Sequence, residues 1–379
     1  MKKRGTFAME FQINKENGIA NRGNLDRLKK LMKRAQAGES LTLGFLGGSI
    51  TQGCLASSPN LCYAYRIYEW WCKTFPDAKF TYVNAGIGAT NSQLGVARAD
   101  MDLLSKKPDF VITEFSVNDE PEEHFKETYE GLIRKVYASE TKPALLIVHN
   151  VYYHNGGNTQ LYHSCVGRHY QIPCISMQSS IYPEVVSGRI PNREITSDDL
   201  HPNDKGHELV ASVITHFLDK VLGEIDSPEE PAPELAAPIT PNTYEDSTRY
   251  QNYNYEPVSE GFTKDTSEQR DITDCFKNGW TATEQGAKIT FEIEAKGISV
   301  QYRKSVNQPA PIAEVVVDGD TEHAVLLDAN FDETWGDKLE LDTITEHGEL
   351  KKHKVEITLV QTHADDVVPF YLVSVIGAK

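Results

Sequence analysis

The fold of the first half of the chain is decided by the segment Leu41-Thr-Leu-Gly-Phe-Leu-Gly-Gly-Ser-Ile-Thr51. Its first six residues predict a short buried strand, and the glycines that follow let the backbone turn sharply. Ser49 is therefore expected at the carboxyl edge of a sheet, where open α/β sheets bind their ligands. Alone the signal is modest, because glycine-rich strand ends are commonly plain turns.

Outward from this segment, apolar strand-like runs alternate with helical patterns as far as residue 225. The predicted strands cover residues 41–46, 80–84, 110–115, 144–149 and 174–177. The predicted helices cover residues 24–37, 63–75, 93–104, 122–138, 159–170 and 204–222. This alternation indicates βαβ units, and hence an α/β domain in which helices flank a parallel sheet.

The composition of the chain changes at residue 226. Residues 226–242 are rich in proline and acid, which predicts an extended linker, with a long loop inside one domain as the alternative. Residues 243–379 predict an antiparallel β-sandwich, because apolar and polar residues alternate at 289–295, 298–304, 313–317, 323–327, 354–361 and 370–376. We therefore expect an α/β domain at 1–225, a linker at 226–242 and a sandwich at 243–379.

The charge balance argues against several classes of partner. The 379 residues carry a formal net charge of −17, which is unfavourable for binding nucleic acid or an anionic membrane. The sequence contains no apolar run near the ~20 residues that a membrane-spanning helix needs, and its start is a poor signal peptide. The six cysteines form no CxxC pair, which favours free thiols and a cytoplasmic location. The oligomeric state is left open, a homo-oligomer included.

Polar and small residues recur where the predicted strands end. Residues 84–92 and 116–119 each follow a strand, and Asp198-Asp-Leu-His201 precedes the helix at 204. Each has a plain alternative: a helix-entry turn for the Gly86-Ile-Gly88 segment, a cap or turn role for Asn118, and chance for the Asp-x-x-His spacing. Their occurrence in order within one domain favours a functional site. A serine, a histidine and an acid are the groups that nucleophilic acyl transfer needs.

Taken in order, these segments resemble the four blocks of the SGNH (GDSL-type) hydrolase superfamily, across roughly residues 40–220. The resemblance implies that Ser49 is the nucleophile, with His201 as its base and Asp198 as the acid that orients the histidine. It also implies an oxyanion hole to which the Ser49 N–H and the Asn118 side-chain amide contribute. Asp199 competes with Asp198 for the orienting role, and the superfamily spacing favours Asp198.

Two positions depart from, or leave open, the superfamily pattern. Gly48 stands where the superfamily has an aspartate before the serine, so the motif that gives the GDSL name is absent. The backbone N–H that the second block contributes to the oxyanion hole belongs either to Gly88 or to Ala89. The mechanism requires no metal and no organic cofactor. The remaining histidines that we considered are assigned to packing or surface: His163, His169, His207 and His216.

The substrate class is inferred from the second domain. The predicted sandwich resembles carbohydrate-binding modules, and Trp335 lies in a polar segment between strands, where its ring can stack on a sugar. Trp280 is instead expected in the core. The order of the domains resembles the mannan acetylesterases of carbohydrate esterase family 17, which implies removal of acetyl groups, most simply the axial 2-O-acetyl, from acetylated manno-oligosaccharides. A dedicated calcium loop is not predicted.

Two rival functions stay open at this point. One is a lipid or thioester acyl hydrolase of the same superfamily, and the other is a non-catalytic sugar-binding protein on a hydrolase scaffold. The first needs an apolar acyl channel, whereas the loop beside Ser49, residues 54–60, is short and its side chains are small. The second is disfavoured because the serine, asparagine, aspartate and histidine are all present. In the favoured interpretation the sandwich contributes to substrate binding.

Overall fold

The computed structural model describes residues 11–379, and its first sheet has six strands within that range. The strands are β1 (Ile19–Asn21), β2 (Ser40–Gly47), β3 (Lys79–Gly86), β4 (Phe110–Glu114), β5 (Ala144–His149) and β6 (Cys174–Ser176). Their order is β1-β6-β5-β4-β2-β3, and all neighbours are parallel except β1 and β6. The five predicted strands are confirmed. The sequence did not predict β1, because three half-buried residues carry no usable period.

The helices of this half of the chain follow the predicted pattern. They are α1 (Asp26–Gln36), α2 (Ser49–Gln52), α3 (Tyr63–Thr74), α4 (Ser92–Asp102), α5 (Glu123–Tyr137), α6 (Gln160–His169), α7 (Met177–Ser180), α8 (Tyr182–Val186), α9 (Asn192–Ile195) and α10 (Asp204–Gly223). The four short helices α2, α7, α8 and α9 were not predicted, because one turn gives no periodic signal. Leu28, Ile67 and Val213, from α1, α3 and α10, pack in one apolar core with Leu43 and Leu146 of the sheet.

The position of β2 within the sheet determines what lies around Ser49. Strand β2 pairs with β3 on one side and with β4 on the other, and Gly47 is in register with Gly86 and with Glu114. The residues that follow these three strand ends therefore meet at one edge of the sheet. Ser49 begins α2 at this edge, two residues after β2 ends.

The C-terminal part forms two antiparallel sheets. Their strands are β7 (Ser247–Tyr250), β8 (Val258–Glu260), β9 (Thr263–Lys264), β10 (Trp280–Ala282), β11 (Lys288–Ala295), β12 (Gly297–Lys304), β13 (Ile312–Val317), β14 (Val325–Asp328), β15 (Lys338–Thr345), β16 (Lys351–Gln361) and β17 (Phe370–Ala378). One sheet has the order β15-β12-β17-β10-β9 with β7 also on β17, and the other has the order β14-β13-β16-β11-β8. The buried rings of Trp280, Phe291 and Phe370 lie in the core of this unit, so the assignment of Trp280 is confirmed.

The chain divides into two units along limits that the sequence does not reveal. The first unit comprises the described residues up to Gly88, together with Lys106–Glu122 and Ser139–Ala236. The second comprises Ala89–Ser105, Glu123–Ala138 and Ala237–Lys379. Helices α4 and α5 therefore group with the C-terminal strands, which the alternating pattern did not indicate. The domains predicted at 1–225 and 243–379, with a linker between them, stay a prediction.

The predicted linker is extended, without helix or strand, but it is held in place within each unit. In the first unit the Glu229 carboxylate accepts hydrogen bonds from Arg22 and Lys29, which lower the pKa of Glu229 to about 2 despite partial burial. In the second unit the N–H groups of Ile239 and Thr240 donate to the Glu130 carboxylate, both at 2.9 Å. These contacts make residues 226–242 a fastened segment.

Among residues 11–379, helix length and apolarity nowhere reach what crossing a membrane requires. All six cysteines are free, as the sequence analysis predicted.

Candidate active site

The edge of the sheet brings Ser49, His201 and Asp198 into one hydrogen-bonded chain. Ser49 is 9% exposed at the start of α2, and its Oγ lies 2.8 Å from the Nε2 atom of His201. The Nδ1 atom of His201 lies 2.6 Å from the Oδ2 atom of Asp198. The imidazole therefore joins the hydroxyl to the carboxylate through its two ring nitrogens. This is the arrangement in which a serine can pass its proton to a base.

The Asp198 carboxylate is held by the backbone of its own segment. Its Oδ1 accepts the N–H groups of Leu200 and His201 at 3.0 and 2.8 Å, which is why an Asp-x-x-His spacing folds back on itself. Partial burial opposes ionisation, but the hydrogen bonds from the His201 ring and from these N–H groups lower the pKa of Asp198 below its ordinary value. The carboxylate therefore stays charged beside an imidazole that gains a proton.

The neighbouring Asp199 points elsewhere. Its carboxylate accepts hydrogen bonds from Asn192 and, at 2.8 Å, from Arg193. Its backbone has a φ of 69°, in the left-handed region. Asp198 contacts the His201 ring, and Asp199 is fastened to α9 and the residues around it.

The glycines before the serine are required by close packing. A Cβ atom on Gly47 would lie 2.5 Å from the Glu114 carbonyl oxygen, and one on Gly48 would lie 2.3 Å from the Oδ1 atom of Asn118. An aspartate cannot fit at position 48 without displacing Asn118. The contact shows that Asn118 lies directly against the residue before Ser49.

Asn118 is carried by a tight turn after β4. The N–H groups of Asn118 and Asp119 both donate to the Phe115 carbonyl at 3.0 Å. The turn is fastened to the start of α6, since the N–H and the hydroxyl of Thr159 both donate to the Ser116 carbonyl at 2.8 Å. Among the described residues, the buried Oδ1 atom of Asn118 has no hydrogen-bond partner.

The turn after β3 places Gly88 beside Ser49 but gives its N–H a partner. A Cβ atom on Gly88 would lie 3.7 Å from the Ser49 Cβ, and the Gly88 N–H donates to the Oε1 atom of Gln52 at 2.7 Å. Ala89 has a φ of 56°, in the left-handed region. Sequence reasoning missed Gln52, whose only signal is its place three residues after Ser49, on the same helical turn.

A second histidine–carboxylate pair lies in the interior. The Nε2 atom of His163 is 2.9 Å from the Oδ2 atom of Asp119, and both side chains are fully buried. Next to this loop, burial raises the pKa of Glu114 to about 7, and the Ser116 hydroxyl donates to its Oε1 at 3.3 Å. Sequence reasoning assigned His163 to packing or surface and did not pair it with Asp119, which is 44 residues away.

His207 is a packing residue, as predicted. It is fully buried, its Nδ1 accepts the Tyr63 N–H at 3.2 Å and its Nε2 donates to the Cys54 carbonyl at 3.1 Å. Burial lowers the pKa of His207 to about 4, so the ring is neutral at physiological pH. It joins the loop after α2 to the start of α3.

Trp335 lies in the second unit, where it is 58% exposed and packs edge-on against Phe331 with ring centroids 5.1 Å apart. The ends of its loop are fastened. The Asn330 side chain exchanges two hydrogen bonds with the Ala310 backbone, and the Asp337 carboxylate accepts from the Ser305 hydroxyl at 2.8 Å. The loop thus presents an aromatic face to solvent.

No three or more His, Cys, Asp or Glu side chains among residues 11–379 are grouped so that they could hold a metal ion. The hydrogen-bonded series of Ser49, His201 and Asp198 consists of three side chains in direct contact.

Comparison with known proteins identifies close relatives. Residues 45–209 match the family described as GDSL-like Lipase/Acylhydrolase family. Two solved structures, of a two-domain esterase (CEX) active on acetylated mannans, alone and co-crystallized with mannopentaose, are each 68% identical in sequence to this chain. Both matches cover 97% of this chain and 99% of the other, with a TM-score of 0.94. Among curated proteins, no sequence matches this chain significantly.

Proposed function

The chain belongs to the GDSL-like lipase/acylhydrolase family, and on that premise we propose that it removes O-acetyl groups from acetylated manno-oligosaccharides through an acyl-serine intermediate. The observation that carries the proposal is the unbroken chain of contacts from Ser49 Oγ through the His201 ring to Asp198. A binding protein that had lost its activity would have no need to keep this geometry.

The first half of the reaction transfers the acetyl group to the enzyme. His201 Nε2 takes the proton of Ser49 Oγ as that oxygen attacks the acetyl carbonyl, and Asp198 stabilises the imidazolium that results. The carbonyl oxygen becomes an oxyanion. When this intermediate collapses, the bond to the sugar oxygen breaks, and His201 returns the proton to that oxygen, so that the sugar leaves as an alcohol.

The second half frees the enzyme. Water gives a proton to His201 and attacks the acetyl-serine carbonyl, and collapse of the second tetrahedral intermediate releases acetic acid and restores the Ser49 hydroxyl. In both halves the oxyanion is stabilised by the Ser49 N–H, by the Asn118 amide and by an N–H of the turn after β3, from Gly88 or Ala89. Each such donor is typically worth about 3–4 kcal/mol in the transition state.

The substrate class rests on the relative and on the second unit. An esterase that is 68% identical over nearly the whole chain is active on acetylated mannans, which supports the same class of substrate here. We propose further that the sandwich is a carbohydrate-binding module and that Trp335 stacks on a sugar ring, because this ring is exposed on a fastened loop. Within the mannose units we propose the 2-O-acetyl group as the one removed.

The decisive experiment follows acetate release from acetylated manno-oligosaccharides by NMR, with wild-type enzyme and with Ser49→Ala. We expect the wild type to release acetate, with the 2-O-acetyl signals decaying first, and the variant to release none above the uncatalysed rate. Nitrophenyl esters of increasing acyl length provide the comparison with a lipid hydrolase. A preference for long acyl chains, or wild-type enzyme that leaves the oligosaccharides acetylated, would contradict the proposal.

A further inference from the structure

We propose that Gln52 is a positioning residue of the active site, which holds the turn after β3 in place beside the nucleophile. The inference rests on the proposed esterase function. Gln52 is the last residue of α2, the single helical turn that Ser49 begins. From there its carboxamide oxygen accepts the Gly88 N–H at 2.7 Å. One short helix therefore carries both the nucleophile and a side chain that fixes the neighbouring turn.

The helical turn α2 and the turn after β3 are also joined by hydrogen bonds nearer to the ends of strands β2 and β3. The Asn84 amide donates to the Thr51 carbonyl at 2.8 Å, and the Ile87 N–H donates to the Gly47 carbonyl at 3.1 Å. A Cβ atom on Gly86 would lie 2.2 Å from the backbone nitrogen of Gln52, so the backbones are in direct contact there. The Gln52–Gly88 hydrogen bond extends this series by one more step, away from the sheet and toward solvent.

The position of this hydrogen bond bears on the oxyanion hole. An N–H group that donates to Gln52 at 2.7 Å is already engaged, and it points at the carboxamide oxygen. Gly88 is therefore part of the framework of the turn. Ala89 has a φ of 56°, a conformation that a residue with a Cβ atom keeps only where its surroundings hold it. Fastening Gly88 supplies such a constraint at the preceding peptide.

Gln52 is exposed, so its role can be tested without threatening the fold. Gln52→Met keeps the length of the side chain and removes the acceptor. We expect kcat for nitrophenyl acetate to fall about 10- to 100-fold, because a displaced donor weakens binding of the transition state. We expect KM to stay within about twofold, because the ground state uses the donor little.

A spectroscopic measurement separates positioning from a general structural effect. In the wild type the Gly88 amide should be protected from hydrogen exchange, and in Gln52→Met its exchange should accelerate about tenfold or more, while the melting temperature is unchanged. Gln52→Glu keeps an oxygen that can accept the same N–H, so it should restore the protection. The matched control is Gln285→Met, which alters another exposed glutamine bonded to the backbone, at 3.0 Å from the Val360 carbonyl, and should keep the wild-type kcat.

Two results would overturn the inference. One is a kcat of Gln52→Met within about twofold of the wild type, which would make the hydrogen bond irrelevant to catalysis. The other is a kcat above that of the wild type, which would show that the carboxamide obstructs an oxyanion donor instead of positioning the turn. Wild-type enzyme that hydrolyses no acetate ester would contradict the proposed function itself, and is thereby distinguished from both.

Discussion

Two histidine–carboxylate pairs in the first unit have similar nitrogen–oxygen distances and different surroundings. His201 and Asp198 are 2.6 Å apart, with side chains 19% and 45% exposed. His163 and Asp119 are 2.9 Å apart, and both are fully buried. The first pair has the Ser49 hydroxyl at its other ring nitrogen, on the open edge of the sheet. The second fastens α6 to the loop that carries Asn118.

The difference shows that the pair alone does not make a catalytic base. A base must be reached by substrate and water, and its charge must be tolerated in both protonation states. The first pair meets both conditions, because its side chains are partly exposed and because hydrogen bonds from the His201 ring and from backbone N–H groups lower the pKa of Asp198, whose charge offsets that of the imidazolium. A buried pair satisfies hydrogen-bonding groups of both side chains, and removing one partner takes that hydrogen bond away in an interior that water does not reach. The first pair is therefore suited to catalysis and the second to structure.

The largest expected effect comes from removing the Ser49 hydroxyl, which bonds to the histidine of the exposed pair. Ser49→Ala should lower kcat for acetate esters by about 10⁴-fold or more, because the acyl-enzyme cannot form. The variant should fold normally, since the substitution removes only one hydroxyl group, at the edge of the sheet. Circular dichroism and steady-state kinetics on nitrophenyl acetate measure both. Retention of more than about a tenth of the wild-type rate would refute the assignment of the nucleophile.

The exposed pair can be broken at its acid. Asp198→Asn should lower kcat by about 10³- to 10⁴-fold, because an amide no longer favours the productive tautomer and charge of His201. Asp199→Asn is the matched control, since Asp199 bonds to Asn192 and Arg193. We expect the control to stay within about tenfold of the wild type. If Asp199→Asn proved the more damaging change, the orienting role would pass to Asp199.

The buried pair should respond in stability. His163→Ala removes the imidazole that bonds to the buried Asp119 side chain and leaves a cavity in its place, which should cost about 2–5 kcal/mol in the free energy of unfolding. The control is His216→Ala, because His216 is 33% exposed and bonds to Glu16 at the surface; its loss should cost under about 1 kcal/mol. Urea unfolding measures both. Equal costs for the two variants would remove the distinction between the pairs.

What the sequence could predict about these two pairs depended on distance along the chain. Asp198 and His201 lie three residues apart, so a local sequence motif predicts their contact. Asp119 and His163 meet only because the turn after β4 and helix α6 come together, and neither residue signals the other. The same holds for Gln52, whose contact with Gly88 spans two strand ends. Parallel strands and the sandwich were predictable, because their patterns repeat over many residues.

The parts of the fold that could not be predicted share a physical reason. Strand β1 and the helix α2 are too short to show a period, and β1 forms because it pairs with β6. Strand β15 has only one fully buried residue, Leu339, in eight, so its alternation is weak. The grouping of α4 and α5 with the C-terminal strands depends on tertiary packing, which no local pattern encodes.

A further carboxyl group of the first unit, that of Glu114, is fully buried. Burial raises the pKa of Glu114 from 4.5 to about 7, so the native state keeps a proton that the unfolded chain loses above pH 4.5. Native stability from this group therefore falls as pH rises from about 4.5 to about 7, by on the order of 3 kcal/mol in total, and is level above that. Glu114→Gln cannot titrate and should lack this slope.

The measurement is the free energy of unfolding of the wild type and of Glu114→Gln, compared at each pH. His207, with a pKa of about 4 in the folded chain, gives a slope of opposite sign below pH 6.5, because the unfolded chain gains a proton there first. That contribution is common to both proteins and cancels in the difference. A difference in unfolding free energy that stays flat from pH 5 to pH 8 would show that Glu114 is not the titrating group.

The smallest effect is expected in the second unit, where an exposed aromatic ring contrasts with the buried one at Trp280. Trp335→Ala should weaken binding of manno-oligosaccharide by about tenfold, because the stacking face is lost while the Asn330 and Asp337 contacts that hold the loop remain. Calorimetric titration with mannopentaose measures this on the full chain. Leu326→Ala is the control, because that side chain is 60% exposed on β14 and should bind as the wild type does. Unchanged affinity in Trp335→Ala would place sugar recognition on another surface, whereas an equal loss in both variants would point to a general effect on the sandwich.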